Sequence, residues 1–427
     1  MAFEMQYSMR LDKFADLNPP RPLKKGAIAK LIDMAALPTS HRSIELSSIE
    51  KRPYSSGARF KNGDSLLARI TPCLENGKSA FVNCLQKDEV AAGSTEFIVI
   101  AAKREIEADF VYYASRLPEF RQYAISRMEG TSGRQRVSHH SIADFEFPYI
   151  GPEDRVAIGR MLRSLDDRID HNRALAANLE AIARRLFKSW FVDFDPVRAK
   201  AAGEKPAGLA DDIAALFPDQ FVDSELGEIP QGWGISCLKN EFDLTMGQSP
   251  PGETYNEVGV GMPFYQGRTD FQSRYPTRRI YCTAPTRQAK MGDTLISVRA
   301  PVGDINMASE DCAIGRGVAA VRHKTASRSY TFEFMKGMNS VFARFEAEGT
   351  VFGSISKKDF QDIPCVKPPA NIILSFEALL GSLDKLIEVS VVESQTIVRL
   401  RDLLLPRLIS GKLCVADTES LIEEAIA

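Results

Sequence analysis

The phrase KNGDSLL at Lys61–Leu67 returns as KMGDTLI at Lys290–Ile296, 229 residues later, and this repetition constrains the fold more than any other feature. Gly-Asp followed by apolar residues is an ordinary turn entering a strand, so the phrase alone carries little. Its neighbourhood, however, repeats in the same order. Pro72 and Pro301 follow the phrase, MEGTSG at Met128–Gly133 is answered by AEGTVFG at Ala347–Gly353, and Ser138 by Ser356. The tripeptide SLD at Ser164–Asp166 reappears 218 residues on at Ser382–Asp384. One duplicated unit of roughly two hundred residues accounts for all of these, far longer than a solenoid period of about 20 to 50 residues. The chain reads as two copies of a domain followed by a helix.

The helices carry a pattern of their own. From Ile158, alternating steps of four and three residues give Leu162, Leu165, Ile169, Asn172, Ala176, Leu179, Ala183, Leu186 and Trp190. The same register in the second copy gives Phe376, Leu380, Leu383, Ile387, Ser390, Ser394, Ile397, Arg401, Leu404 and Leu408. Both series are mostly apolar, and both turn polar at the same fifth position, Asn172 and Ser390. A shared 3.5-residue period is that of a coiled-coil seam, so the two helices are expected to pack on each other, with the polar pair fixing register. At about 1.5 Å per residue the first helix would span on the order of 50 Å. Leu175 and Ile182 widen its apolar face, which suits a further partner. Pro406, lacking an amide hydrogen, is expected to stop or kink the second helix.

The fold class expected is α+β, with two similar domains separated by two long paired, coiled-coil-like helices and an internal pseudo-two-fold repeat. The boundaries are a first domain over 1–152, a central helical spacer over 153–194, and a connector rich in Ala, Gly, Pro and acid over 195–232. A second domain over 233–369, a C-terminal helical spacer over 370–413 and a tail over 414–427 complete the chain. Within each domain, strand-like EFIVIAA or GVAAVRH precedes a helical pattern, ADFVYYASRLPEFRQYAISRM or YTFEFMKGMNSVFARFEAEG.

Composition excludes several classes. No apolar run approaches the roughly 18 residues of a membrane span, and the start MAFEMQYSMR is not a secretory signal. Seven scattered cysteines without a Cys-x-x-Cys pair suit reduced thiols in a cytoplasm. The net charge of −2 does not announce a nucleic-acid binder. A basic run does stand out, with Arg268, Arg274, Arg278, Arg279, Arg287, Lys290 and Arg299 facing only Asp270 and Asp293 in that stretch. Catalytic motifs are missing. NPPR at Asn18–Arg21 has an arginine where a base-stacking methyltransferase loop needs an aromatic ring, and reads as a Pro-rich turn. GKS at Gly77–Ser79 lacks the first glycine of a phosphate loop. The five histidines show no metal-ligand spacing, and no Gly-x-Ser-x-Gly elbow occurs.

The stretches ARRLFKSWFVDFDPV at Ala183–Val197, DSELGEIPQGW at Asp223–Trp233 and LLLPRLISGKL at Leu403–Leu413 resemble the specificity subunit of type I restriction-modification systems. The resemblance runs through nearly the whole chain in the expected order. It implies a non-catalytic chain whose two target-recognition domains each read half of a split sequence in double-stranded DNA, while the helices set the gap and dock methyltransferase (M) subunits. It further implies that S-adenosylmethionine serves those M subunits, that ATP and magnesium serve restriction/translocase (R) subunits, and that this chain binds no cofactor or metal. Two other readings remain at this point: a self-contained DNA methyltransferase or nuclease, and a coiled-coil protein scaffold.

Base or phosphate contacts are expected from glycine-containing loops bearing Arg and Gln, which pair bidentately with guanine and adenine. The candidates are Arg134, Gln135 and Arg136 in the first domain, and Gln266, Arg268, Arg278, Arg279, Lys357 and Lys358 in the second. Helix pairing is expected through Leu162, Leu165, Ile169, Asn172, Leu179 and Leu186 on one side, and Leu380, Leu383, Ile387, Ser390, Ile397 and Leu404 on the other.

Overall fold

The computed structural model describes residues 7–44, 46–131, 133–347 and 353–416. The chain folds as two units of mixed helix and strand, one holding the residues up to Ala174 together with those from Ser390 onward, the other Leu175–Val389. In the first unit Ala15–Leu17 (β1), Asp64–Ala68 (β2), Ser79–Phe81 (β3) and Phe97–Ala102 (β4) form an antiparallel sheet in the order β1-β4-β2-β3. In the second, Phe242–Met246 (β5), Thr294–Ser297 (β6), Ile305–Met307 (β7) and Val318–His323 (β8) repeat it as β5-β8-β6-β7. The repeated phrase thus enters the same inner strand twice.

Successive side chains of a strand point to opposite faces, and here both faces are covered. Leu67 packs with Ile98, Ile100 and Phe110, while Leu66 faces Phe60, Phe97 and Val99. Ile296 likewise joins Ala319, Val321 and Tyr330, and Leu295 joins Tyr265, Val318 and Ala320. This two-sided burial is why SLL and TLI are continuous apolar runs rather than alternating ones. Each unit has a further sheet containing one parallel pair, Ile28–Ile32 beside Ala91–Gly93 and Met262–Tyr265 beside Cys312–Ile314.

Helices Ala108–Arg116 (α1), Pro152–Phe191 (α2), Arg328–Gly337 (α3) and Ala370–Ile409 (α4) complete the frame. The α2 and α4 helices are each 40 residues long and contribute to both units. Every residue of the two 3.5-residue series is buried or half-buried. Within the first unit, Ile158 and Leu162 of α2 share a core with Leu404 and Leu408 of α4. Further along α2, Arg168 grips Glu393 with two hydrogen bonds of 2.9 and 3.1 Å, and Asn172 donates to the same carboxylate at 3.0 Å. Partner numbers fall along α4 as they rise along α2, so the segments run antiparallel. Within the second unit, Phe187, Trp190 and Phe191 set their rings 6.0, 5.5 and 5.1 Å from Phe376. Burying such side chains contributes about 1.5 to 3 kcal/mol each.

The α4 helix does not stop at Pro406, one of the two outcomes expected there, and runs on to Ile409. Proline there removes only the bond to the Asp402 carbonyl in the last turn, and the buried Leu404, Leu405, Leu408 and Ile409 hold that turn in place. The segment after α2 is folded rather than a bare connector. It contains a helix at Asp195–Ala201 and a hairpin pairing Phe221–Ser224 with Gly227–Pro230, and it places Val197, Phe217, Ile229 and Trp233 in the second unit's core. No helix among the described residues is long and apolar enough to cross a membrane.

Candidate nucleic-acid interface

The repeated phrase is a charged turn. Gly63 and Gly292 take left-handed conformations (φ 87° and 85°), which glycine adopts without a Cβ penalty. Asp64 and Asp293 fold back to accept the amides of Lys61 and Lys290 at 2.8 and 2.7 Å. Each buried carboxylate is matched by an arginine from elsewhere in its unit. Arg21 binds Asp64 at 2.6 and 3.1 Å, and Arg322 binds Asp293 at 2.6 Å. This anchors the NPPR segment through Arg21, while Asn18, with φ 49°, accepts the Val99 amide at 2.9 Å. The strand that leaves each turn delivers an arginine at its far end, Arg69 after β2 and Arg299 after β6.

The candidates of the first unit, and Lys357 and Lys358 of the second, lie in segments that reach those strand ends. Arg134 and Arg136 are exposed and Gln135 is half-buried. Gln135 accepts the Thr71 amide through its carbonyl at 3.0 Å, and Arg136 forms a bridge with Ile70, so this segment lies beside the end of β2. The guanidinium of Arg136 holds Glu96 at 2.9 Å, a bond that raises its pKa. Gln266 is exposed, and its carbonyl accepts the Gly317 amide at 3.0 Å. Arg268 pairs with Asp304 at 2.5 Å, Arg278 with Glu310 at 2.5 Å and Arg279 with Asp270 at 2.8 Å. Lys357 and Lys358 are exposed on the short helix Lys357–Gln361, whose cap Ser356 accepts the Asp359 amide as Ser138 accepts that of His140. The Arg299–Ser354 bridge brings this segment to the end of β6. Residue 132 of the first loop and residues 348–352 of its counterpart lie outside the described residues.

Four arginines that line clefts are outside the candidate set. In the second unit, Met246, Gly247, Val298, Arg299, Arg316 and Ser354 line an open cleft of about 630 Å³. At the equivalent place in the first unit, Asn18, Arg59, Arg69, Thr95 and Phe97 line one of about 300 Å³. Of the four lining arginines, only Arg299 stood out in the basic run. A usable signal was present: KNGDSLLAR and KMGDTLISVR both end the repeated phrase on arginine.

The repeated SLD has a structural role. Asp166 accepts from Tyr113 at 2.6 Å and from Arg401 at 2.5 Å, and Asp384 accepts from Arg274 at 2.6 Å and Ser329 at 2.5 Å. Both aspartates tie a long helix to the rest of their own unit. Arg42 and Arg274 are also equivalent: each is buried and lies over an aromatic ring, 3.9 Å from the Phe81 centroid and 3.8 Å from that of Phe332. Removing one partner of such a buried pair costs about 3 to 5 kcal/mol because the other charge is stranded. Burial likewise pushes the Tyr113 hydroxyl and the Glu333 carboxyl up from their ordinary pKa values. These groups are internal ties, and none of them lines either cleft.

No family model matches the chain. Among curated proteins, it is 37% identical over 199 residues to the one named for the MjaX type I restriction enzyme specificity subunit of Methanocaldococcus jannaschii, covering 46% of this chain and 47% of that protein. It is 24% identical over 419 residues to the HindI specificity subunit of Haemophilus influenzae, covering 86% of this chain and 90% of that one. The chain is similar to type I restriction enzyme specificity subunits. The fold agrees with that family: the crystal structure of the type I restriction-modification S subunit from M. genitalium matches with a TM-score of 0.59 at 14% identity, over 96% of this chain and 98% of that one. The match spans about half the length of the MjaX specificity subunit but nearly all of the HindI specificity subunit.

Proposed function

We propose that this chain is the DNA-specificity subunit of a type I restriction-modification complex, each recognition domain reading one half of a bipartite target. The observation that carries the reading is the duplication itself. Two units share one sheet topology, one charged turn and one arginine-lined cleft, and both are built on the same two helices. A compact domain reads only a few base pairs of the major-groove code. Two readers on one frame multiply discrimination, because engaging the first raises the effective concentration of the second.

In this reading the chain is non-catalytic and works in the cytoplasm. S-adenosylmethionine belongs to methyltransferase subunits, and ATP and magnesium to restriction/translocase subunits. The paired helices set the gap between half-sites. They also dock the methyltransferase subunits, a role suited to the exposed Leu175 and Ile182 of α2 and the exposed Leu386, Val389, Val392 and Leu403 of α4. The test is methylome sequencing of cells given the chain together with a candidate methyltransferase subunit. A split motif with a fixed gap, absent when this chain is left out, is expected. Methyl transfer to DNA by the purified chain alone would overturn the reading in favour of a self-contained enzyme.

A further inference from the structure

We infer that the cleft bounded by Arg299 and Arg316 is the seat of a DNA-backbone phosphate at the half-site read by the second unit, an assignment that rests on the function proposed above. An arginine already paired with a carboxylate must release it before binding an external anion, and the exchange yields little. Arg268, Arg278 and Arg279 are in that position, held by Asp304, Glu310 and Asp270. Lys290 is held in the same way by Asp311 at 2.9 Å. Arg299 and Arg316 are exposed, and neither guanidinium has an ion pair among the described residues. Among the described residues no carboxylate lines their cleft. Two such forks in one concavity can grip a phosphate and release the counterions condensed on it.

The backbone around them is stripped of side chains. Gly315 and Gly317 flank Arg316, and Gly247 and Gly353 lie on the cleft wall. At Gly247 the omission is forced, since a Cβ would stand 2.2 Å from the Gly315 carbonyl oxygen. A wall this bare lets a sugar-phosphate chain approach closely. Among the described residues the lining offers arginine forks and serine hydroxyls but no aromatic ring and no Asn or Gln, which favours phosphate over base readout.

The other copy gives an independent view. The cleft after β1 and β2 also holds arginines, Arg59 and Arg69, and the buried Nε of Arg69 has no hydrogen-bond partner. At its rim, however, Glu96 occupies Arg136. Glu96 precedes β4 as Gly317 precedes β8, so the second unit has a glycine where the first has that competing carboxylate. Arg59 and Arg69 likewise carry no ion pair among the described residues, so the two clefts differ in the carboxylate at the rim of the first and not in the pairing of their own arginines.

The experiment uses the full-length chain in complex with its methyltransferase subunits. Binding is followed by fluorescence anisotropy to a duplex carrying the methylome-defined target and to a scrambled duplex of equal length, across a salt series. The double variant Arg299→Ala/Arg316→Ala should bind both duplexes about 10-fold more weakly, and its log–log salt slope should shrink by about 0.9, the value for one lost phosphate contact. Arg299→Lys/Arg316→Lys keeps the charge and should restore most of the slope, which separates a lost contact from a misfolded variant. Unchanged affinity and slope in the alanine variant overturns the seat. So does a loss confined to the target duplex, which would make these arginines base readers. If the wild-type complex does not prefer the target, the specificity-subunit reading falls and the seat with it.

Discussion

At the scale of the residue, the second unit contains a histidine whose protonation state the fold dictates. His323 ends β8 almost fully buried, against the rings of Phe242 and Tyr330. The Thr325 amide donates to its Nδ1 at 3.2 Å, so that nitrogen must present a lone pair. Burial holds the ring's pKa down to about 4, against about 6.5 in an unfolded chain. Below the unfolded value the unfolded chain takes up a proton that the folded one refuses. This site's contribution is therefore intact above about pH 6.5 and is lost as pH falls toward 4. The substitution His323→Asn keeps an acceptor for Thr325 without a titrating group. Urea midpoints measured between about pH 7 and 4.5 should fall less steeply for the variant than for the wild type. Equal slopes for the two proteins would show that His323 does not carry this dependence.

Among the elements, the turn entering β2 and β6 makes a sharper comparison, because the same phrase sits in two surroundings. Alanine at either glycine meets the left-handed φ and should cost about 1 to 2 kcal/mol. At Gly63 the added Cβ finds only the Ala108 Cβ at 3.9 Å, whereas at Gly292 it stands 2.3 Å from Arg328 Nε. Gly292→Ala should thus be the more destabilising in chemical denaturation, and a Gly63→Ala protein as stable as the wild type would contradict the strain argument. This turn was legible in the sequence because all of its parts lie within four residues. The helix seam was legible for a similar reason, since a 3.5-residue period is written locally. What escaped was pairing over distance. The basic run from Arg268 looked unopposed, yet Arg268 reaches Asp304, Arg278 reaches Glu310 and Arg274 reaches Asp384, all beyond that stretch. Arg316 went unnoticed for the converse reason: only the pairing of β6 and β8 sets it beside the strand end that carries Arg299. That the helix continues past Pro406 was not legible either, because the side chains that bury its last turn are gathered from elsewhere in the unit.

For the whole molecule, the division between the units falls inside both long helices, after Ala174 in α2 and after Val389 in α4. These two points are neighbours across the antiparallel seam, since Asn172 reaches Glu393. A seven-residue insertion at both places keeps the seam in phase, adds about 10 Å of helix to each strand of the pair and leaves no stretch without a partner. If the helices measure the gap, each half-site sequence should persist while the spacing between them grows. At about 3.4 Å per base pair a full transfer of that length is about three base pairs. Three base pairs also turn the duplex through nearly a third of its 10 to 10.5 base-pair repeat, so a gap that compromises between length and rotation is the expected outcome. Methylome sequencing of cells carrying the doubly extended chain with the methyltransferase subunit proposed above reads this directly. Active protein with the original spacing would show that the helices are not the ruler. Altered half-site sequences would instead make them part of the reader, because the two recognition units themselves are untouched by the insertion.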